Sequence, residues 1–130
     1  MLCVAEASTA SLRRLAGDGI VTWSVSAVEI AAAIERRTRE GSLTSTDHGA
    51  ARTALSELAA AWTEISALGP VRDRAMRLVA THSLRAADAM QLGAALVAVG
   101  DRPARHTFVC TYRRLCEAGA REGFAVLPRN

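Results

Sequence analysis

The 130-residue sequence has few aromatic residues and no lysine. Aromatic side chains make up only 4% of the chain although 50% of its residues are hydrophobic, so the core must be built from Ala, Leu and Val. Such small side chains suit helices that pack closely on a sheet or on one another. All sixteen positive charges are arginines, against thirteen acids, and the net charge is +3. Arginine favours bidentate phosphate contacts, so a nucleic-acid partner is permitted, but a GC-rich coding bias explains the same usage.

Cysteine and histidine are too few and too scattered to predict a zinc site or a disulfide framework. The three cysteines form no C-x-x-C pair, and the three histidines are dispersed. Free thiols fit a reducing cytosol. The longest uncharged run near the centre, residues 89–100, is too short to span a membrane, and the first residues lack the features of a signal peptide. We therefore expect a cytoplasmic protein without membrane contacts.

Strand-like and helix-like patterns alternate along the chain. Strands are predicted over residues 20–25, 64–68, 106–111 and 124–128. Helices are predicted over residues 8–16, 26–39, 44–62, 70–82, 85–99 and 113–123. Strands separated by helices of this length are typical of a parallel sheet covered on both faces. We therefore predict a single α/β domain over residues 1–130.

Two acids, Glu29 and Asp88, each stand at the start of an alanine-rich predicted helix. Local structure can explain both: Glu29 completes a capping box with Ser26, and an acid such as Asp88 in a first helical turn is favoured by the helix dipole. A functional interpretation is also open, because Glu29 follows a predicted parallel strand, and open α/β sheets bind ligands at that edge. Two carboxylates brought together there repel each other unless a cation such as Mg²⁺ or Mn²⁺ lies between them.

Three blocks of the sequence resemble, in order, those of PIN domains, most closely the VapC-type toxins of bacterial toxin–antitoxin pairs. The blocks are SVSAVEIAAAIERRTREGSL, HSLRAADAMQLGAAL and TFVCTYRRLCEAGAREGFAVL, and they cover nearly the whole chain. The R-A-x-D-A-x-x-L pattern of the middle block is the most specific. PIN domains are α/β folds, with a parallel sheet flanked by helices, whose acidic pocket binds Mg²⁺ or Mn²⁺ and cleaves RNA. The resemblance implies that Glu29 and Asp88 are catalytic metal ligands, and that the partners are RNA, a cognate antitoxin and a second copy of the chain.

The sequence departs from the PIN pattern at two places. The family's first aspartate lies on a central strand that precedes residues resembling LCVAEAS, and this sequence begins there, at Met1. We therefore expect that strand to be missing, through a misassigned or truncated start. Where the family has a fourth acid, the chain has Tyr112, a neutral phenol and a poor Mg²⁺ ligand. With two of the four acids, we expect a weak or inactive Mg²⁺-dependent endoribonuclease.

Two other interpretations remain open. One is a non-catalytic PIN-like module that binds an antitoxin or RNA without cutting it, and the other is a structural α/β domain whose acids only stabilise helix ends. Arg113 and Arg114 follow Tyr112 and are candidates for RNA phosphate contacts, although a solvated first helical turn explains them equally well. Trp23 and Trp62 stand in apolar surroundings and are predicted to be core residues.

Overall fold

Five helices and four short strands make up the part of the chain that the computed structural model describes, residues 19–127. The predicted helix over residues 8–16 lies outside this range. In chain order the elements are β1 (Val21–Trp23), α1 (Ser26–Arg39), α2 (Ser45–Ala61), β2 (Thr63–Ile65), α3 (Leu68–His82), α4 (Ala86–Ala98), β3 (Thr107–Val109), α5 (Arg113–Glu122) and β4 (Ala125–Leu127). The predicted mixed α/β class is confirmed.

The predicted order of helices and strands is also found, but several boundaries differ. The first strand ends at Trp23 because Val25 already has helical backbone angles. The strand predicted over residues 64–68 is wrong at its end, since α3 begins at Leu68, two residues before Pro70. A proline is tolerated there because the N–H groups of a first helical turn have no partner within the helix.

The strands form two parallel pairs in the described structure. Strand β1 pairs with β2, where Thr22 lies opposite Glu64, and β3 pairs with β4, where Phe108 lies opposite Val126. Within residues 19–127 no hydrogen-bonded ladder joins one pair to the other. The predicted parallel orientation is therefore confirmed, whereas the missing central strand of a PIN-like sheet stays a prediction.

Helix α4 lies at the centre of the described structure, and eight of its thirteen residues are buried. On one side Leu92 belongs to a core cluster with Phe108 and Leu115, which come from β3 and α5. On another side Ala94 packs with Trp23 of β1. Trp23 and Trp62 are 4% and 8% exposed, so the prediction that both tryptophans are core residues is confirmed.

A polar cluster joins the C-terminal ends of α3 and α5. Glu122 accepts two hydrogen bonds from the Arg77 guanidinium, at 2.6 and 3.2 Å, and a third from Nε2 of His82 at 2.6 Å. The His82 side chain is only 5% exposed. The hydrogen bonds from Arg77, with a smaller contribution from His82, hold the pKa of Glu122 below its usual range although burial opposes this.

We expect the stability of the protein in acid to depend on Glu122. Because its pKa is lowered by folding, its contribution is present above the ordinary glutamate pKa of about 4.3 and is lost as the pH falls through the lowered value. Glu122→Gln should lower the free energy of unfolding by about 1–3 kcal/mol at neutral pH. Urea unfolding at pH 7 and in strong acid measures both values, and the difference between the two proteins should shrink in acid.

A matched control is Glu117→Gln, which removes an exposed carboxylate of the same helix that is paired with Arg113. An exposed pair of this kind contributes roughly 0–1 kcal/mol. If Glu122→Gln were no more destabilising than Glu117→Gln, the cluster would not hold the two helix ends together.

Gly93 allows α3 and α4 to pack closely. A Cβ atom at position 93 would lie 2.8 Å from the backbone carbonyl oxygen of Val71.

Gly93→Ala should therefore lower the free energy of unfolding by about 1–3 kcal/mol, since the backbone of α3 must move. At the exposed Gly49 of α2 an added Cβ meets no atom within 4 Å, so Gly49→Ala should stabilise by about 0.5–1 kcal/mol. Urea unfolding measures the free energy of unfolding of both variants. If the two substitutions changed it in the same direction, the close packing of α3 against Gly93 would be contradicted.

Candidate functional site

Glu29 and Asp88, the two acids singled out from the sequence, line the same cavity, which has a volume of about 330 Å³. Helix α1 contributes Glu29 and helix α4 contributes Asp88. The wall also includes Gln91 of α4 and Tyr112, which precedes α5. Two helices and the residue before a third, all distant in sequence, therefore bring polar side chains to one place.

The local structure around Glu29 leaves its carboxylate free to face the cavity. Ser26 is the first residue of α1 rather than its cap; Val25 occupies the cap position, and no side chain caps this helix end. The predicted capping box of Ser26 and Glu29 is therefore wrong, because the helical backbone of Val25 starts the helix one residue earlier. The Glu29 side chain instead accepts a hydrogen bond from Nε2 of Gln91.

Asp88 lies in the first turn of α4, where the helix dipole favours a negative charge. Its side chain is only 12% exposed. The nearest cation is Arg85, whose Nε lies 3.8 Å from Oδ2 of Asp88, but the Arg85 side chain is 81% exposed. A pair at this distance with so exposed a partner contributes little, so a largely buried carboxylate without a strong ion pair lines the cavity.

Gln91 is the residue of this site that the sequence analysis missed. It is 5% exposed and stands three residues after Asp88, which places both side chains on the same face of α4. Its Nε2 donates to Glu29, and its Oε1 is buried without a hydrogen-bond partner in the described residues. The signal that could have found it is an amide one helical turn after an acid, within an otherwise apolar helix.

Both acids titrate above their usual range. Burial raises the pKa of Glu29; the hydrogen bond from Gln91 lowers it again in part, and the charge of Asp88 adds a smaller increase. Burial also raises the pKa of Asp88, against the opposing effect of Arg85. The two carboxylates therefore interact electrostatically in a partly desolvated cavity, where a bound cation would relieve the cost of their charges.

Among the described residues, the acidic side chains that line this cavity are two carboxylates, those of Glu29 and Asp88. In residues 19–127 no three His, Cys, Asp or Glu side chains come together in a metal-binding geometry. The carboxylate side chains of Glu29 and Asp88 line the cavity, whereas Oε1 of Gln91 is buried without a hydrogen-bond partner among the described residues. Mg²⁺ is often bound by one or two carboxylates and retains several waters. Two carboxylates are within the number of protein ligands that such Mg²⁺ sites use.

Arg113 and Arg114 do not line the acidic cavity. They border a second cavity of about 420 Å³, which is lined by Ser83, Leu84, Arg85, Asp88, Tyr112, Arg113 and Arg114. Asp88, Arg85 and Tyr112 belong to both cavities, so the two are neighbours. The predicted arginines therefore share a cavity with Asp88 and Tyr112 but not with Glu29.

Neither the known protein-family models nor the curated proteins include a match to this chain. The resemblance to PIN domains therefore stays a prediction. Within residues 19–127, no helix combines the length and apolar character needed to cross a membrane.

The arrangement of Glu29, Gln91 and Asp88 predicts opposite effects of two substitutions on the pKa of Glu29. Gln91→Met removes the hydrogen bond that lowers this pKa and should raise it further. Asp88→Asn removes a neighbouring negative charge and should lower it. NMR titration of the glutamate side-chain carboxyl carbons measures both shifts.

Glu35, on the same helix, is the internal control for these titrations. Its pKa is lowered chiefly by a hydrogen bond with His48, away from the cavity, and should not change in either variant. A lowered Glu29 pKa in Gln91→Met would contradict the described hydrogen bond.

Proposed function

We propose that the chain is a PIN-like protein of the VapC type, a weak or inactive endoribonuclease whose acidic cavity binds Mg²⁺ or Mn²⁺. The observation that carries the proposal is that Glu29 and Asp88, from two different helices, line one cavity. Helix capping acts within a single helix, so it does not explain why the two acids lie together. The raised pKa values of both acids agree with it, because perturbed carboxylates in a cleft are typical of functional sites. A cytoplasmic location and a cognate antitoxin belong to the same proposal.

Each polar residue of the cavity would have a separate role. Glu29 and Asp88 would hold the cation, and Gln91 would fix the orientation of the Glu29 carboxylate. When bound, Mg²⁺ supplies charge neutralisation at a phosphodiester and activation of a water molecule. Arg113 and Arg114, in the neighbouring cavity, would attract the phosphates of an RNA strand.

The expected rate is low because the described cavity offers few acids. Besides Glu29 and Asp88, the described residues that line it include no carboxylate, and Tyr112 presents a phenol. Loss of groups that only support a metal ligand costs about 10–100-fold in affinity or activity, so the lack of ligands themselves should cost at least as much. This supports the second candidate, a non-catalytic PIN-like module that binds RNA or an antitoxin, as a homodimer or a single copy.

A Mn²⁺ titration followed by electron paramagnetic resonance tests the metal site. Asp88→Asn and Glu29→Gln should each weaken Mn²⁺ binding by at least about tenfold, since each removes one of two charged ligands. Mn²⁺ should also raise the melting temperature of the unmodified protein, because it binds only the folded state. Glu57→Gln, which removes an exposed carboxylate of α2 outside both cavities, is the matched control and should change neither result.

RNA cleavage in the same samples separates the two candidate functions. Cleavage that requires Mn²⁺ and is lost in Asp88→Asn supports the nuclease, whereas Mn²⁺ binding without cleavage supports the non-catalytic module. Tyr112→Asp adds a carboxylate to the cavity wall and should strengthen Mn²⁺ binding. Unchanged Mn²⁺ binding in both Asp88→Asn and Glu29→Gln would contradict the proposed site.

A further inference from the structure

The second cavity has a larger excess of positive charge than the acidic one, whose wall holds Arg36 and Arg85 as well as Glu29 and Asp88. Three arginines line the second cavity, Arg85, Arg113 and Arg114, against the single acid Asp88. The side chains of Arg85 and Arg113 are 81% and 87% exposed, and Arg113 forms an exposed ion pair with Glu117 at 3.0 Å. Arg114 is exposed and forms no ion pair with any residue between 19 and 127. The cavity is therefore a concave surface with an excess of positive charge, which is suited to an anionic ligand.

Tyr112 lies at the boundary between the two cavities and lines both of them. It is 36% exposed, whereas the other four aromatic residues of the chain are buried in the core. Its backbone is extended at the N-cap position of α5, and its side chain forms no capping hydrogen bond. The only exposed aromatic ring of this chain therefore stands beside its arginine-lined cavity.

We propose that the second cavity is a nucleotide subsite for single-stranded RNA, in which a base stacks on Tyr112 and the adjoining phosphates bind Arg113 and Arg114. Proteins that hold single strands combine aromatic stacking surfaces with a positively charged path for the backbone. Both parts are present here within one cavity of about 420 Å³. The inference deepens the proposed function and rests on it in taking RNA as the ligand.

The charges of the second cavity would orient a bound RNA strand. Asp88 repels a phosphate from the side on which the two cavities meet, and Arg85 offsets this repulsion only in part, from 3.8 Å. The phosphates are therefore drawn toward Arg113 and Arg114, at the start of α5, while the uncharged base takes the position next to Tyr112. A strand held in this way would continue past Tyr112 toward Glu29 and the acidic cavity.

Fluorescence anisotropy with a short labelled single-stranded RNA tests the subsite in the presence of EDTA, so that no divalent cation contributes. Tyr112→Ala should weaken binding by roughly tenfold, whereas Tyr112→Phe keeps the ring and should bind like the unmodified protein. Arg114→Gln should weaken binding and reduce the salt dependence by about one counterion. Arg72→Gln, which removes an exposed arginine of α3 outside both cavities, should have no effect.

A second probe tests stacking on the unmodified protein itself, where the folding of a variant plays no part. RNA of the same length with abasic nucleotides should bind the unmodified protein more weakly, and the Tyr112→Ala protein should not distinguish the two RNAs. Equal losses in Tyr112→Phe and Tyr112→Ala, or equal affinity of the unmodified protein for both probes, would overturn the stacking proposal.

The outcomes separate this subsite from the metal site. RNA binding in EDTA by a protein that fails to bind Mn²⁺ would support the subsite and contradict only the proposed nuclease. Mn²⁺ binding by a protein without affinity for the RNA would overturn the subsite and leave the metal site intact. Preference for duplex RNA over the single strand would also overturn it, since paired bases cannot stack on a side chain.

Discussion

The close packing of α4 against its neighbours is the constraint on which the rest of the described structure depends. Small side chains make this possible: Ala89, Ala94 and Ala95 are fully buried, and Gly93 lies against the backbone of α3. A helix so completely enclosed has a fixed position and rotation, because interiors are packed at the density of crystals. The polar residues near its beginning are therefore held in place by apolar contacts further along the same helix.

The polar residues of the acidic cavity are costly for the fold. Burial raises the pKa values of Asp88 and Glu29, so each charge is less stable there than in water. The amide of Gln91 compensates at Glu29 by donating a hydrogen bond, yet its own Oε1 is left without a partner among the described residues. Buried polar atoms that lack partners are uncommon in folded proteins. A bound cation, as proposed above, would offset the cost of both charges.

The sequence predicted the helices and strands better than the contacts between them. The helical periodicity around Asp88 and the β-branched run before Glu29 are local signals, and both elements are found. The capping box at Ser26 was wrong because the conformation of Val25, not the residue type at position 26, decides where α1 begins. Gln91 was missed because its importance depends on a contact with a helix sixty-two positions away. The pairing of strands depends on such distant contacts in the same way.

Tyr112 lines both cavities, and the charge of the side chain at this position affects both of them. A carboxylate at this position would add negative charge to the acidic cavity and would also repel phosphates from the arginines beside it. A phenol does neither: it is uncharged at neutral pH and offers a ring on which a base can stack. Under the two proposals, the same side chain would weaken the first cavity as a metal site and favour the second as a surface for single-stranded RNA. Because Asp88 and Arg85 also belong to both cavities, any ligand in one changes the electrostatics of the other.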